Sequence, residues 1–249
     1  MSADAVVFLG PSLACDRATT ILDATYLPPV RAGDVLRVVE EIHPAFLLVI
    51  DGLFEQVASV RHKELLYALS QGVRVFGASS MGALRAAELG EFGMIGVGRV
   101  HDQYALGDID GDDEVAISHS SADDGWQPLS ESLVNIRWAT GRAVTRGVIS
   151  PAVQHQLVRH ARRTYYPFRH WASCCDAALS GGAPAGEIAD FRSFLAAEKP
   201  DVKALDAEDL LRRVRSEVEQ RTGANRSPNF TLARTSELDG WLTDARPQG

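Results

Sequence analysis

Short apolar runs alternate with helix-period segments along the first hundred residues. Ala5–Leu9, Phe46–Ile50 and Val73–Gly77 have the continuous hydrophobicity of strands buried on both faces, and Gly-Pro, Asp-Gly or a small-residue turn ends each of them. Helical segments fall between and after them, from Asp16 to Ala24, from Asp34 to Ile42, from Val60 to Gln71 and from Met81 to Leu89. This alternation predicts an α/β fold with a parallel-sheet N-terminal core.

The apolar period changes from Ser130 onward and predicts a mainly helical C-terminal region. Glu114–Ser118 is predicted as one more strand between the two halves. We therefore expect an α/β core over residues 1–128, a helical region over 129–221 and a partly flexible tail over 222–249. The tail offers few hydrophobic anchors, which are Phe230, Leu232, Leu238 and Trp241.

Parallel sheets bind ligands where the carboxyl ends of strands meet helix amino termini. The turns at Gly10, Asp51 and Gly77 follow the three predicted strands of the core. These turns are therefore the expected site region.

The segment from Gly77 to Glu88 is the most informative for chemistry. A strand leads through a turn with two hydroxyls into a helix, so Ser80 is a candidate nucleophile, with the Met81 and Gly82 amides and Arg85 binding the developing anion. The spacing does not match the GxSxG motif of α/β-hydrolases, although Ser80-Met81-Gly82 resembles the nucleophile turn of Clp-type serine peptidases. The alternative is that Ser79 and Ser80 cap the helix.

A nucleophilic serine needs a base, and two histidines are candidates. His62 opens a helix after the Asp51 turn, and His119 follows the predicted fourth strand. Asp51 or Glu64 can orient the imidazole. Lys63 is one of only three lysines in an arginine-rich chain, which makes it a candidate supporting residue of the site. Glu88 is spaced to form an ion pair with Arg85 on the same helix. Surface positions for His62 and Glu64, and a loop position for His119, remain alternatives.

Charge is segregated along the 249 residues, whose net charge is −8. Acidic residues dominate from Asp102 to Glu131, and arginines dominate from Arg137 to Arg169. The acidic total argues against a protein that coats nucleic acid or an anionic membrane. The arginine stretch is either a docking surface for an acidic partner or the solvated faces of several helices.

Two further features limit the possible sites. The run Asp112-Asp113-Glu114 can supply Mg²⁺ ligands, but neighbouring residues of a strand point to opposite faces, so a solvated loop is favoured and no metal site is expected. Three cysteines form neither a disulfide framework nor a CxxC pattern, and burial is the expected role of Cys174 and Cys175. Without a secretory or membrane-spanning pattern, we expect a cytoplasmic protein.

An ordered set of motifs resembles the TfuA-like family across about the first 150 residues. The motifs are FLGPSL from Phe8, LPPV from Leu27, IDGLF from Ile50, HKELL from His62, GASSMGALRAAEL from Gly77, GMIGVG from Gly93 and DDEVA from Asp112. Each motif alone is weak, but the order is specific. The helical C-terminal part carries no matching motif.

The resemblance implies an accessory role in installing peptide thioamides. TfuA-like proteins act beside YcaO-type enzymes, which replace a backbone amide oxygen with sulfur, and are thought to release that sulfur from a thiocarboxylated carrier protein. The implied partners are the YcaO enzyme, the carrier and the precursor peptide, without a cofactor, nucleic acid or membrane. A non-catalytic adaptor that stimulates the YcaO enzyme is the alternative. A nucleotide-binding protein is disfavoured because P-loop and GxGxxG motifs are missing from the sequence.

Overall fold

A computed structural model describes residues 4–53, 57–220 and 228–245 of the chain. Two compact units make up the protein. The first unit combines Met1–Ile109 with Ala204–Gly249, and the second is Asp110–Lys203. Within the described ranges, no helix is both long enough and apolar enough to span a membrane.

The first unit contains a five-stranded parallel sheet, which confirms the predicted α/β core. Its strands are β1 (Ala5–Phe8), β2 (Thr25–Leu27), β3 (Phe46–Val49), β4 (Arg74–Ala78) and β5 (Ile95–Val97), in the order β2-β1-β3-β4-β5. The three strands that the sequence predicts within the first hundred residues form the centre of the sheet. The two missing from that prediction, β2 and β5, are short, half-buried edge strands without a continuous apolar run.

Eleven helices lie in the described part of the chain, and a mainly helical C-terminal region is confirmed. They are α1 (Cys15–Thr19), α2 (Asp34–Glu41), α3 (His62–Ser70), α4 (Met81–Leu89), α5 (Arg99–Leu106), α6 (Leu133–Thr145), α7 (Pro151–Arg163), α8 (Trp171–Ser180), α9 (Ala185–Glu198), α10 (Val202–Glu219) and α11 (Ser236–Ala245). Short 3₁₀ turns occur at Gly90–Phe92, Asp112–Glu114 and Tyr166–Phe168.

Both faces of the sheet are covered, as the unbroken apolar runs of its central strands require. Side chains of α2, α3 and α4 pack on one face against Val6, Leu47 and Val75. On the other face, α1 and residues 207–214 of α10 pack against Val7 and Leu48. The second unit has its own core, formed mainly by the apolar sides of α6, α7, α8 and α9.

The strand order reverses direction between β1 and β3. In doubly wound sheets of this order, the crevice at the carboxyl ends of the strands beside the reversal is the usual ligand position. The chain enters this edge at the three turns that follow β1, β3 and β4.

Helix α4 approaches the sheet closely because two glycines leave room for its first turn. A Cβ atom on Gly82 would lie 1.8 Å from the Val49 carbonyl oxygen, and one on Gly77 would lie 2.0 Å from the Gly82 carbonyl oxygen. The Gly82 amide donates a hydrogen bond to the Ile50 carbonyl at 3.3 Å. The beginning of α4 is thus held against both β3 and β4.

Some predicted elements were wrong. Instead of a strand, Glu114–Ser118 begins at the end of a 3₁₀ turn and continues as irregular chain, because Asp113 and Glu114 are bound by arginines rather than by a neighbouring strand. Helix α1 is shorter than predicted and begins at Cys15 after an Ala14 cap, not at Asp16.

The C-terminal segment carries a helix that the sequence analysis did not predict. Leu238 and Leu242 of α11 pack on Leu36 of α2, and Phe230 meets Phe92 edge to face at 5.6 Å between ring centroids. Residues 221–227 and 246–249 of the predicted flexible tail lie outside the described residues.

We predict that Gly82→Ala destabilises the protein by at least about 2 kcal/mol, because the added methyl group overlaps the backbone of β3. Gly90→Ala is the matched control, since its Cβ would meet no atom within 4 Å and its backbone is right-handed helical. Urea unfolding should leave the control within about 1 kcal/mol of wild type. Equal stabilities of the two variants would contradict the close approach.

A second prediction concerns Asp206, a buried residue of α10 whose Oδ2 accepts the Val100 amide of α5 at 2.8 Å. Burial raises the pKa of this carboxyl from 3.8 to about 6, against the favourable charge of Arg99. Folding therefore takes up a proton between these pH values, and this group makes stability fall as pH rises from about 4 to about 6. Asp206→Asn should flatten that part of the stability curve.

The control for Asp206 is Glu219→Gln, an exposed carboxylate of the same helix that pairs with Arg215. Unfolding free energies measured across this pH range should keep the wild-type slope in the control. A wild-type slope in Asp206→Asn as well would refute the role of the buried carboxyl.

Candidate active site

The three turns after β1, β3 and β4 lie side by side because these strands are neighbours in the sheet. Of the predicted site residues, Asp51, Ser79 and Ser80 belong to these turns, and Met81, Gly82, Arg85 and Glu88 follow on α4. His62, Lys63 and Glu64 open α3 in the same unit, whereas His119 belongs to the second unit.

Asp51 joins the turns after β1 and β3. Its Oδ2 accepts the Gly10 and Ser12 amides at 2.9 and 3.0 Å, and its Oδ1 accepts the Ser12 hydroxyl at 2.6 Å. The side chain is buried, so these three donors replace its hydration. Asp51 is therefore a support for the site edge, and no described bond connects it to a histidine.

The turn between β4 and α4 has the backbone of a sharp elbow. Ser79 is left-handed with φ +69°, and the Ser80 amide donates to the Ala78 carbonyl at 2.8 Å across it. A left-handed non-glycine residue costs about 1 kcal/mol or more and is enriched at functional sites. The left-handed residue of the elbow is Ser79 rather than Ser80, and it could not be predicted because no residue pattern there requires a positive φ.

Neither serine hydroxyl of this turn caps α4. Ser80 is the N-cap residue, yet its side chain accepts no amide, so the capping interpretation was wrong for it. The Ser79 Oγ is buried and has no hydrogen-bond partner within the described residues. An unpaired buried hydroxyl at a strained turn is costly, and it is available to a ligand that brings a partner atom.

The two predicted anion-binding amides differ in their engagement. The Gly82 amide is bound to the Ile50 carbonyl, whereas the Met81 amide has no acceptor among residues 4–53, 57–220 and 228–245. Arg85 is mostly buried, with its Nη1 on Glu88 at 2.6 Å and its Nε without a described partner. These two buried donors, the Met81 amide at the positive end of α4 and the Arg85 Nε–H, are suited to an anion because no described residue accepts them.

His62 is bound to Glu88. Its Nε2 lies 2.8 Å from the Glu88 Oε2, which also accepts a hydrogen bond from Arg85. The Glu88 carboxylate therefore holds the His62 and Arg85 side chains together. Eight residues of helix separate Ser80 from Glu88, which is about 12 Å along the axis. Among the described residues, no hydrogen bond joins His62 to Ser80. His62 therefore pairs with Glu88, for which the sequence predicted only a pairing with Arg85.

His119 is held within the second unit. Its Nδ1 donates to the Ser120 carbonyl at 2.8 Å, and its ring meets Trp126 edge to face at 5.1 Å. A carbonyl can only accept, so the proton of the neutral ring is on Nδ1 and the basic lone pair is on Nε2. Its assignment as a catalytic base stays a prediction.

Glu64 and Lys63 hold neighbouring segments of the first unit. The buried Glu64 accepts the Gly33 amide at 2.8 Å and the Arg61 guanidinium at 3.3 Å, and burial raises its pKa while these donors oppose the shift. Lys63 donates to the Thr235 hydroxyl at 3.2 Å in the C-terminal segment. Neither side chain is bonded to His62 in the described part of the structure.

The acidic run after Gly111 is paired with arginines. Arg137 donates two hydrogen bonds to the buried Glu114, at 2.8 and 3.0 Å, and Arg169 binds Asp113. Across the described residues, no group of three His, Cys, Asp or Glu side chains has the arrangement of a metal site. The buried Cys174 and Cys175 have raised pKa values because of desolvation, which agrees with packing rather than thiolate chemistry.

We predict that Asp51→Ala destabilises the protein by at least about 3 kcal/mol, because it leaves the two amides and the Ser12 hydroxyl unpaired in a buried place. Asp102→Ala, an exposed carboxylate of α5, is the control and should change stability by less than about 0.5 kcal/mol. Chemical denaturation of both variants measures the difference. A loss below about 1 kcal/mol for Asp51→Ala would show that the clamp is dispensable.

Comparison with known proteins relates this geometry to a family. The family model described as TfuA-like protein matches residues 51–170. This span begins at Asp51, includes the β4–α4 elbow and both histidines, and extends past the residue-150 limit of the resemblance, while the motifs before Asp51 lie outside it. The chain has no match among curated proteins. TfuA-like proteins are associated with the thioamidation system and with YcaO-type enzymes. Residues 51–170 of the chain are thus similar in sequence to TfuA-like proteins.

Proposed function

We propose that the protein releases sulfide from a thiocarboxylated carrier protein for use by a YcaO-type enzyme in peptide thioamidation. The observation that carries this proposal is the β4–α4 elbow, where two serine hydroxyls lie at a helix amino terminus and neither caps it. Acyl transfer needs a nucleophile, which a serine hydroxyl can be, and donors to the developing oxyanion, which a backbone amide and a cationic side chain can be. The carrier's thiocarboxylate is an acyl group with sulfide as its leaving group.

The proposed reaction has two steps at Ser80. The Oγ attacks the thiocarboxylate carbon, an O–C bond forms, the C–S bond breaks, and a base moves the Ser80 proton to the departing sulfide. Water then attacks the resulting ester, which frees the carrier carboxylate and restores the hydroxyl. In sum, R–COS⁻ and H₂O give R–COO⁻ and H₂S, so no oxidant, reductant or cofactor is consumed.

Arg85 and the Met81 amide are proposed to bind the anionic group. A thiocarboxylate is negatively charged before attack and carries an oxyanion afterward, and both forms favour the open Arg85 Nε and the positive end of α4. The Gly82 amide contributes by holding the elbow through the Ile50 carbonyl rather than by direct donation.

The base is proposed to be His62 or His119. The Nε2 of His62 lies 2.8 Å from the Glu88 carboxylate, which orients the imidazole ring. His119 instead donates from Nδ1 to the Ser120 carbonyl, so its Nε2 is the nitrogen proposed to accept the Ser80 proton. The YcaO enzyme, the carrier and the precursor peptide are the proposed partners, and the cytoplasm is the proposed location.

A non-catalytic adaptor is the second candidate function. It is favoured by the contact of His62 with Glu88 instead of Ser80, and by the burial of both serines. In this case the protein would bind the YcaO enzyme and stimulate it without its own turnover.

The decisive assay incubates the full chain with a thiocarboxylated ubiquitin-like carrier, without the YcaO enzyme, and measures sulfide. We expect release by wild type and a loss on the order of 1,000-fold in Ser80→Ala. Arg85→Gln should lose about 10- to 100-fold because one donor to the anion is removed. Ser79→Ala should lose less than about tenfold, since the hydroxyl that it removes is not the proposed nucleophile.

Ser70→Ala is the control, because that hydroxyl donates to the Tyr67 carbonyl at the end of α3, away from the elbow. Circular dichroism and thermal unfolding identify variants that fail to fold. Sulfide release only when the YcaO enzyme is added supports the adaptor, and unchanged release by a folded Ser80→Ala protein refutes the nucleophile.

A further inference from the structure

The arginine-rich stretch of the second unit separates into two groups. Several of its members form ion pairs or are buried: Arg137 with Glu114, Arg142 and Arg146 with Glu198, and Arg169 with Asp113. Arg159, Arg162 and Arg163 of α7 are exposed and form no ion pair with any described residue. Arg162 and Arg163 lie in the last turn of α7, where positive charge interacts favourably with the helix dipole, but no carboxylate of the described residues neutralises any of the three.

Exposed aromatic rings follow these arginines directly. Phe168 is 66% exposed and Tyr165 is 55% exposed, with their ring centroids 6.2 Å apart. Tyr165 also meets Tyr166 edge to face at 4.8 Å. The exposure of clustered aromatic rings to water is unfavourable, and such clusters mark interaction sites more often than single exposed apolar residues do.

Arg169 holds the turn that carries these rings. Its buried guanidinium donates from Nε to the Ala161 and Thr164 carbonyls, both at 3.0 Å, and from Nη1 to the Asp113 carbonyl at 2.5 Å. Two of the three carbonyls lie at the end of α7, and the Ala161 carbonyl accepts the Thr164 amide at 3.2 Å as well as Arg169. The turn is therefore fixed before a partner arrives, which lowers the ordering cost of binding.

We propose that Arg159, Arg162, Arg163, Tyr165 and Phe168, here called the aromatic–arginine patch, bind an acidic polypeptide segment with bulky apolar side chains. Charge complementarity identifies this partner, since no Asp or Glu occurs between Glu131 and Asp176. Carboxylates pair with the unpaired guanidinium groups, and apolar side chains cover the rings. This surface is separate from the proposed sulfide-release reaction and does not rest on it.

A polypeptide is favoured over single-stranded nucleic acid. The rings of Tyr165, Tyr166 and Phe168 meet at 62–66°, edge to face, and so do not form a parallel platform for successive bases. The chain as a whole carries −8, and nine acidic residues fall between Asp102 and Glu131. A polyphosphate backbone would be repelled by this charge, whereas a short acidic segment needs only the local cations.

The test measures fluorescence anisotropy of a short labelled peptide, in which Asp-Glu pairs alternate with Leu-Phe pairs, titrated with the full-length protein. We expect saturable binding that weakens with salt. Arg162→Glu and Arg163→Glu should each weaken it about tenfold, and Phe168→Ser should weaken it by a similar factor.

Matched controls separate the patch from net charge and general hydrophobicity. Lys199→Glu makes the same charge change at an exposed position of the second unit, and Leu106→Ser removes an exposed apolar side chain of the first unit. Both should stay within about twofold of wild type. Thermal unfolding of every variant verifies the fold.

Several results would overturn the proposal. These are no binding of the acidic peptide, equal binding of a version with Lys in place of Asp and Glu, equal losses in the controls, and tighter binding of a single-stranded oligonucleotide than of the peptide. Self-association that Phe168→Ser abolishes would also overturn it, because the occupant would then be a second copy of this chain.

Discussion

The candidate site depends on the close approach of the first turn of α4 to β3 and β4. Without side chains at Gly77 and Gly82, the helix backbone reaches the sheet backbone, and the Gly82 amide bonds to Ile50. The connection between β4 and α4 then has to turn sharply, and Ser79 takes the left-handed conformation that allows it. The two hydroxyls and the open Met81 amide follow from this constraint. Asp51 fixes the turn after β1 at the same edge of the sheet, because its carboxylate accepts hydrogen bonds from the Gly10 and Ser12 amides.

The distribution of charge around the elbow favours an anionic substrate. Asp51 and Glu64 are surrounded by backbone and guanidinium donors, and Glu88 is shared by His62 and Arg85. Each nearby carboxylate is therefore already engaged, while the Arg85 Nε and the Met81 amide remain unengaged by described residues. A thiocarboxylate combines the negative charge and the acyl carbon that such a site can use.

The central strands and the elbow could be predicted because they depend on local sequence. Continuous apolar runs such as Phe46–Ile50 are typical of strands buried on both faces, and the small residues after Val73–Gly77 allow a tight turn into α4. The edge strands β2 and β5 could not be predicted, since pairing with β1 and β4 rather than their own sequences makes them strands. The predicted strand at Glu114–Ser118 was wrong for the converse reason, because its one carboxylate, Glu114, ends a 3₁₀ turn and is bound by Arg137, which is distant in sequence.

Side-chain partners across the fold were the hardest to predict. Helical spacing correctly paired Arg85 with Glu88, but the contact of Glu88 with His62 joins two helices and has no sequence signal. The aromatic–arginine patch likewise depends on which arginines form ion pairs with carboxylates. Only the fold determines those pairs. The roles of Ser80, His62 and His119 in catalysis remain predictions of this account.

The most direct test of acyl transfer at the elbow is to trap the covalent intermediate. The full chain is mixed with thiocarboxylated carrier, quenched in acid at short times and mapped by peptide mass spectrometry. The account predicts a transient ester between the carrier's C-terminal carbonyl and the Ser80 hydroxyl, which Ser80→Ala abolishes. Sulfide release by the wild-type protein with no adduct on the peptide that contains Ser79 and Ser80 would contradict it.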